Sequence, residues 1–300
     1  MAIVTNKQRM PMPDATSGPP RTRRIAARAG WSLTEYLCTS GPNDRSFEER
    51  HHEVSMALVT HGTFRYRTST GEGMLYPGAF LLGNPDTCYE CGHEHSRGDR
   101  CLALSVTHDL FAEIASGASS ADRCRFRRAM LPAITDLAPI SVSLQRATGS
   151  AAPLALEELV FTTIETVVRV VGTNHTSPRR ARPITMKKMS TVFDYIDAHL
   201  GDGLDLGNLS ALAAMSKYHF LRSFKRQCGM TPHQYILGRR LRAAAFALRA
   251  ADAPVARIAL DQGFGDLSTF NRTFRRVMGV TPKAYRSIRD ICAAAGSQTG

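Results

Sequence analysis

Phe220-Leu221-Arg222-Ser223-Phe224-Lys225-Arg226 returns fifty residues later as Phe270-Asn271-Arg272-Thr273-Phe274-Arg275-Arg276. Each copy is followed at the same distance by a Gly-X-Thr-Pro turn. Gly229-Met230-Thr231-Pro232 leads to Tyr235, and Gly279-Val280-Thr281-Pro282 leads to Tyr285. So many side chains recurring at one offset mark two copies of one supersecondary unit. Within a copy the phenylalanines sit four apart, so they share a helix face and pack inward. Arg222 and Arg226 lie on an adjacent face and stay solvated. Gly229 ends the helix where a left-handed residue is least costly. Pro232 opens the next one, having no amide hydrogen to lose there.

Upstream of each copy the spacing predicts a short amphipathic helix. Leu206, Leu209, Leu212 and Ala213 form the first, and Val255, Ile258 and Ala259 the second. Met215-Ser216 caps the first basic helix, while Gly263-Phe264-Gly265-Asp266 leads into the second. Helix, tight turn and basic helix make a helix-turn-helix, whose second helix enters the major groove. Residues 232–250 read as one long Ala-, Leu- and Arg-rich helix that would fix the separation of the two recognition helices at roughly one turn of duplex, ~34 Å.

The charge distribution agrees. The chain carries 38 Lys and Arg against 26 Asp and Glu, and 20 of the basic residues but only 8 acidic ones, none of them Glu, fall from Arg179 onward. The first 178 residues therefore balance to zero. A positive field confined to one half favours a polyanion, nucleic acid or an anionic membrane surface.

With these residues in hand the stretch from Met186 to Arg289 resembles the DNA-binding domain of the AraC (AraC/XylS) family. The likeness is carried by Tyr195-Ile196, Leu212-Ala213, Ser216, Phe224-Lys225, Gly229, Thr231-Pro232, Tyr235, Arg240 and Ala244 in the first unit. Ile258-Ala259, Gly263-Phe264, Phe270, Arg272-Thr273-Phe274, Gly279, Thr281-Pro282 and Tyr285-Arg286 carry it in the second. The resemblance implies promoter binding, usually activation through RNA polymerase, and control by an N-terminal ligand-sensing and dimerisation domain. The family's base-facing positions fall on Tyr218, Leu221 and Arg222, and on Leu267, Ser268, Asn271 and Arg272. Arginine pairs bidentately with guanine and asparagine with adenine, whereas leucine offers only apolar contact to a thymine methyl. Lys217, Lys225, Arg226, Arg275 and Arg276 are expected to meet phosphates, or else to form a solvated helix face.

The first half reads differently. From Trp31 to Thr107, short alternating segments separated by Gly, Pro and Asn breaks predict a β-sandwich or barrel. Val54, Met56 and Leu58 share one face of a strand, Phe64-Arg65-Tyr66-Arg67 reads as its neighbour, and Tyr76-Pro77-Gly78 as a turn before Phe80-Leu81-Leu82. Leu154, Leu156, Leu159, Val160, Ile164, Val167, Val168 and Val171 form an apolar stripe on a helix starting near Pro153, open to burial against its own sheet or against a partner subunit. Pro77-Gly78 with the upstream His51-His52 pair loosely resembles a cupin barrel. The fold class expected is α+β: an N-terminal β-barrel or cupin-like sensor domain with following helices, then an all-α domain of two helix-turn-helix units joined by a long helix. The boundaries expected are a disordered leader at 1–28, sensor and dimerisation domain at 29–171, linker at 172–184, DNA-binding domain at 185–291 and flexible tail at 292–300.

Cys88, Cys91, His93, His95 and Cys101 crowd into fourteen residues. On a strand Cys91, His93 and His95 would point one way. A turn at 96–100 would bring Cys101 opposite His95 on the same face. By strand parity His52 would join them. His52, Cys91, His93, His95 and Cys101 are thus candidate ligands for zinc or another transition metal, candidate redox thiols favoured by Arg97 and Arg100, or ordinary lining of a ligand site. No nucleophile–base pair, phosphate-binding Gly loop or carboxylate pair points to an enzyme. The competing reading is a metal-dependent cupin-like enzyme with an accessory DNA-binding module; two spaced recognition helices argue against a nucleoid-like architectural protein. No run of 18 apolar residues suggests a membrane span. The seven cysteines without a secretory leader are expected to be reduced thiols in a cytoplasm.

Overall fold

Val54–Gly62 shows why the first half forms two layers: its residues are buried on both faces. Val54, Met56 and Leu58 point one way, whereas Ala57 and Val59 point the other. A strand with two dry faces must be covered twice. The computed structural model describes residues 20–287, apart from 43, 45, 94–97, 119–124, 148–152, 174–182 and 251.

The strands are β1 (Arg21–Arg28), β2 (Trp31–Cys38), β3 (Phe47–Arg50), β4 (Val54–Gly62), β5 (Phe64–Thr68), β6 (Gly71–Leu75), β7 (Phe80–Gly83), β8 (Cys88–Gly92), β9 (Asp99–Val106) and β10 (Met130–Leu131). They form a six-stranded sheet ordered β1-β2-β9-β4-β7-β10 and a four-stranded sheet ordered β3-β8-β5-β6. All pairings are antiparallel. The expected barrel gives way to two separate sheets, because β10 is only two residues long and β1 is an Arg-rich edge with exposed side chains. Charged edge strands resist further pairing.

Three sequence expectations change here. Residues 21–28, assigned to a disordered leader, form β1: charged side chains do not prevent its backbone from pairing with β2, Arg21 opposite Leu37 through Arg28 opposite Trp31. β5 is not the neighbour of β4, whose two edges are already taken by β9 and β7; the chain crosses to the other sheet after Gly62. The predicted turn at 96–100 does not return β8 alongside β9, since β8 pairs with β3 and β5 while β9 pairs with β2 and β4. The turn at Tyr76-Pro77-Gly78 is present, closed by the Ala79 amide donating to Tyr76 O at 2.9 Å.

Helices α1 (His108–Ala118), α2 (Ala138–Ala147) and α3 (Pro153–Thr173) follow the strands. Val160, Ile164, Val167 and Val168 of α3 lie in one cluster with Leu33, Met56, Leu82, Leu102 and Leu104 of the large sheet. The stripe is thus consumed within the chain rather than left for a partner helix. Of the linker expected at 172–184, the first residues belong to α3 and the last to α4 (Pro183–Ala198). Residues 174–182, the leader up to 19 and the tail at 292–300 lie outside the described residues.

The second half continues with α5 (Leu206–Leu212), α6 (Lys217–Cys228), α7 (Pro232–Ala250), α8 (Val255–Asp261) and α9 (Leu267–Met278), and residues 282–287 are helical. The sequence repeat is a repeat of packing. The Phe220 and Phe224 rings lie 5.6 Å apart, and Phe270 and Phe274 lie 5.4 Å apart. Tyr235 meets Phe224 edge-on at 5.8 Å, as Tyr285 meets Phe274 at 5.4 Å.

The two halves share cores. Tyr76 of the first half stacks on Phe193 of α4, with centroids 4.7 Å apart, and its hydroxyl donates to the Cys228 carbonyl at 2.9 Å. Thr63 and Ser190 hydroxyls meet at 2.6 Å. On the other side Ala138 and Val142 of α2 join Leu241, Ala245 and Phe270 of the second unit.

Candidate nucleic-acid interface and sensor cavity

Each recognition helix is cut to length by local chemistry. Ser216 caps α6, its side chain accepting from the His219 amide at 3.3 Å, and Asp266 caps α9 by accepting from Thr269 at 2.7 Å. Side-chain acceptors at this position satisfy amides that the helix leaves unpaired. The Thr269 amide bond holds the Asp266 carboxyl below its usual range. Gly229 and Gly279 close the helices at φ 71° and 79°.

These helices bury their phenylalanines and expose the rest. Tyr218 is 70% exposed and Leu267 41%. Arg222, Ser268, Asn271 and Arg272 are exposed, and Leu221 is half-buried. The expected phosphate-binding residues, Lys217, Lys225, Arg226, Arg275 and Arg276, are all exposed. The Arg222 guanidinium sits 5.7 Å over the Tyr218 ring. Asn271, Arg272, Arg275, Arg276, Gly279 and Thr281 line a shallow hollow on α9.

Helix α7 spans 19 residues, about 28 Å of helix. It is tied to both units. Arg239 forms an ion pair with Asp197 of α4 at 2.8 Å. Arg240 donates to the carbonyls of Leu200, Asp202 and Gly263 at 2.8, 2.7 and 2.8 Å. Gly263 has φ +80°, and a Cβ there would lie 2.7 Å from the Arg240 guanidinium carbon, so only glycine fits this turn. Sequence reasoning noted Arg240 but missed that it fastens the second turn to the first unit.

Between the sheets lies a cavity of about 520 Å³. Cys38, His93, Asp99 and Cys101 line it, with Tyr36, His51 and Tyr89 nearby. Cys38 and Asp99 are register partners on β2 and β9, so they face the same way, and His93 reaches across from the end of β8. His93 Nε2 lies 2.5 Å from Asp99 Oδ1, and its Nδ1 lies 4.0 Å from Cys38 Sγ. The Cys101 thiol donates to Asp99 Oδ2 at 3.0 Å. Burial works against the His93 cation, but the hydrogen bonds to Asp99 and Cys38 raise the imidazole to about 9.

The predicted ligand set is partly corrected. Cys91, His93 and Cys101 do line one cavity, and His95 lies outside the described residues. His52 lines the same cavity but is exposed rather than buried, because β4 begins only at Val54 and strand parity does not reach back to it. It is His51 that is buried, 2.8 Å from the Tyr66 hydroxyl and stacked on Tyr89 at 4.1 Å. Burial and the adjacent His52 push His51 down to about 4. Burial, then the Asp99 charge, drive the Cys91 and Cys101 thiols well above their ordinary value, which works against the thiolate form. Cys38 and Asp99 were missed; their partnership depends on strand register across sixty residues, which local spacing does not reveal.

Residues 209–288 match a family model described as a helix-turn-helix domain. The chain is 35% identical over 98 residues to the probable transcriptional regulator LumQ of Photobacterium leiognathi, covering 33% of this chain and 40% of LumQ. A solved AraC-type transcriptional regulator from Chromobacterium violaceum is 25% identical and covers 34% of this chain and 91% of its own, with a TM-score of 0.33. Regulatory protein SoxS of Salmonella typhimurium is 35% identical over 98 residues, which cover 33% of this chain and 92% of SoxS. The chain belongs to the AraC family. The AraC-family chain spans only 40% of LumQ's length and 30% of that of the MmsAB operon regulatory protein. These relatives are named as regulators. Among the described residues no helix is long and apolar enough to cross a membrane.

Proposed function

We propose that this AraC-family chain is a cytoplasmic, sequence-specific transcription regulator that binds double-stranded promoter DNA through α6 and α9 and answers to a ligand held between its two sheets. The observation that carries the reading is the pair of equivalent capped helices, each exposing a base-competent face beside basic residues. Tyr218, Leu221 and Arg222 read one stretch of bases; Leu267, Ser268, Asn271 and Arg272 read another. Because the two faces differ, each subunit reads an asymmetric site. Lys217, Lys225, Arg226, Arg275 and Arg276 set register on the phosphates.

The cupin-like role assigned to the sensor half rests on its two facing sheets and the cavity between them. The seam of Tyr76, Phe193 and Cys228 offers a route by which the cavity's occupancy reaches α6. Activation through RNA polymerase and action as a homodimer follow the family resemblance; a second copy would dock on surfaces other than the buried stripe of α3.

A genomic footprint tests the reading. Discrete sites are expected, lost in the Arg222→Ala/Arg272→Ala double variant. Lys225→Ala should weaken all sequences alike and lower the salt slope of log K by about 0.9. Failure to enrich any discrete site would overturn it.

A further inference from the structure

We propose that Cys38, His93 and Asp99 form a binding site for a divalent transition metal of the zinc–cobalt class, with its remaining coordination position open to the cavity. The inference stands on the sensor half alone and does not depend on what the second half binds.

The three side chains offer a thiolate sulfur, an imidazole nitrogen and a carboxylate oxygen, and these atoms all lie within 4.8 Å of one another. All three are buried. Ligand atoms held at ~2.0–2.3 Å around one tetrahedral zinc are separated by roughly 3.3–3.8 Å. The 4.0 Å between Cys38 Sγ and His93 Nδ1 is close to that spacing. That spacing makes Nδ1 the ligating nitrogen; Asp99 Oδ1 now lies 2.5 Å from Nε2 on the far side of the ring, so the carboxylate must turn off Nε2 to reach the ion. Sulfur with imidazole selects zinc, cobalt and their neighbours over magnesium or calcium, which take oxygen.

Charge balance points the same way. A thiolate and a carboxylate beside a neutral imidazole carry two negative charges, which a divalent ion neutralises inside a dry site. On binding, the Cys38 thiol proton and the proton on His93 Nδ1 leave to solvent, Nε2 keeps its hydrogen, and three metal–ligand bonds form. Cys101 is a positioning residue: its thiol holds Asp99 Oδ2 at 3.0 Å and leaves Oδ1 for the ion. The register supports the arrangement, because Cys38 and Asp99 are direct cross-strand partners and keep their separation without any metal. The cavity of about 520 Å³ supplies both the entry path and room for a further ligand.

The test uses the full chain, stripped with a chelator and titrated with cobalt(II). One cobalt per chain is expected, with a sulfur-to-cobalt charge-transfer band and the visible bands of a four-coordinate ion. Competition with zinc gives the relative affinities of variants. The near-isosteric Cys38→Ser should abolish the charge-transfer band. His93→Ala and Asp99→Asn should each weaken zinc by ~10–100-fold or more, given that losses of this size arise even from supporting residues. Cys88→Ser, at an exposed cysteine, should keep both band and stoichiometry. Circular dichroism of each variant separates lost ligation from lost folding, and wild-type stoichiometry decides the matter even where a variant fails to fold. Binding far below one cobalt per chain, or a thiolate band that survives in Cys38→Ser, overturns the site.

Discussion

Arg242→Met is expected to make the protein more stable. Arg242 sits on α7 at the seam with the sensor half and is 5% exposed. Its guanidinium lies against Gly78; a Cβ built on Gly78 would be 2.7 Å from Nη2. Among the described residues Nε and Nη2 have no hydrogen-bond partner. Burial first, then the like charge of Arg239, pull Arg242 down to about 10, with Tyr235 and Asp197 opposing. That displacement is worth roughly 3 kcal/mol against the charged form. Two unpaired donors add on the order of 1–3 kcal/mol each. Asp197 does not need Arg242, being paired with Arg239 at 2.8 Å. Methionine removes the charge and both donors while refilling most of the volume. Replacing an uncompensated buried ion by an apolar side chain typically gains about 1–4 kcal/mol. For a chain of this size the melting temperature should rise by roughly 2–4 °C per kcal/mol. Calorimetry of wild type, Arg242→Met and Arg239→Met under reversible conditions measures it. Arg239→Met serves as the opposite case, because it leaves Asp197 without its ion pair, and should lower the melting temperature. If Arg242→Met falls as far as Arg239→Met, Arg242 is compensated and the reasoning from its isolation is wrong.

Other outcomes follow from the same geometry. Arg222→Ala and Arg272→Ala should each cost about 1–3 kcal/mol of specific DNA affinity and relax the base preference at one position, measured by mobility shift on single-substitution probes. Neither should shift the melting temperature by more than a degree or two, since both side chains are exposed. Gly263→Ala should destabilise by roughly 1–2 kcal/mol for its left-handed backbone alone, and more as Arg240 is displaced from its three carbonyls. Its DNA affinity should fall although no DNA-facing residue changes. For His51 the native value of about 4 lies below the ordinary 6.5, so the unfolded chain takes up the proton first as pH falls. Stability is therefore intact above about 6.5 and declines toward pH 4, by on the order of 2–3 kcal/mol. His51→Asn should flatten that part of the profile, and an NMR titration should show the imidazole neutral down to about pH 4.

The recognition helices were legible in the sequence because everything that makes them is local. Ser216 and Asp266 reach amides three residues on, Phe220 and Phe224 share a face through helical periodicity, and Gly229 ends the helix through its own backbone. The charge step and the fifty-residue repeat are likewise one-dimensional facts. The first half was legible only as short strands. Which strand neighbours which depends on non-local pairing: β5 left β4 for the second sheet, and residues 21–28 joined the first sheet despite a composition that reads as solvated.

The sequence alone determined that the second half carries two basic helices on a common plan, with different exposed side chains on each. Tertiary structure decided which cysteines and histidines of the first half lie together. Strand register set Cys38 against Asp99, the facing sheet delivered His93 between them, and ahead of β4 His51 is buried while His52 lines the cavity but stays exposed. It also decided that Tyr76 of one half completes the core of the other. A side chain's neighbours within a helical turn are given by covalent geometry, whereas neighbours sixty or a hundred and fifty residues away exist only once both sheets have closed over a shared core.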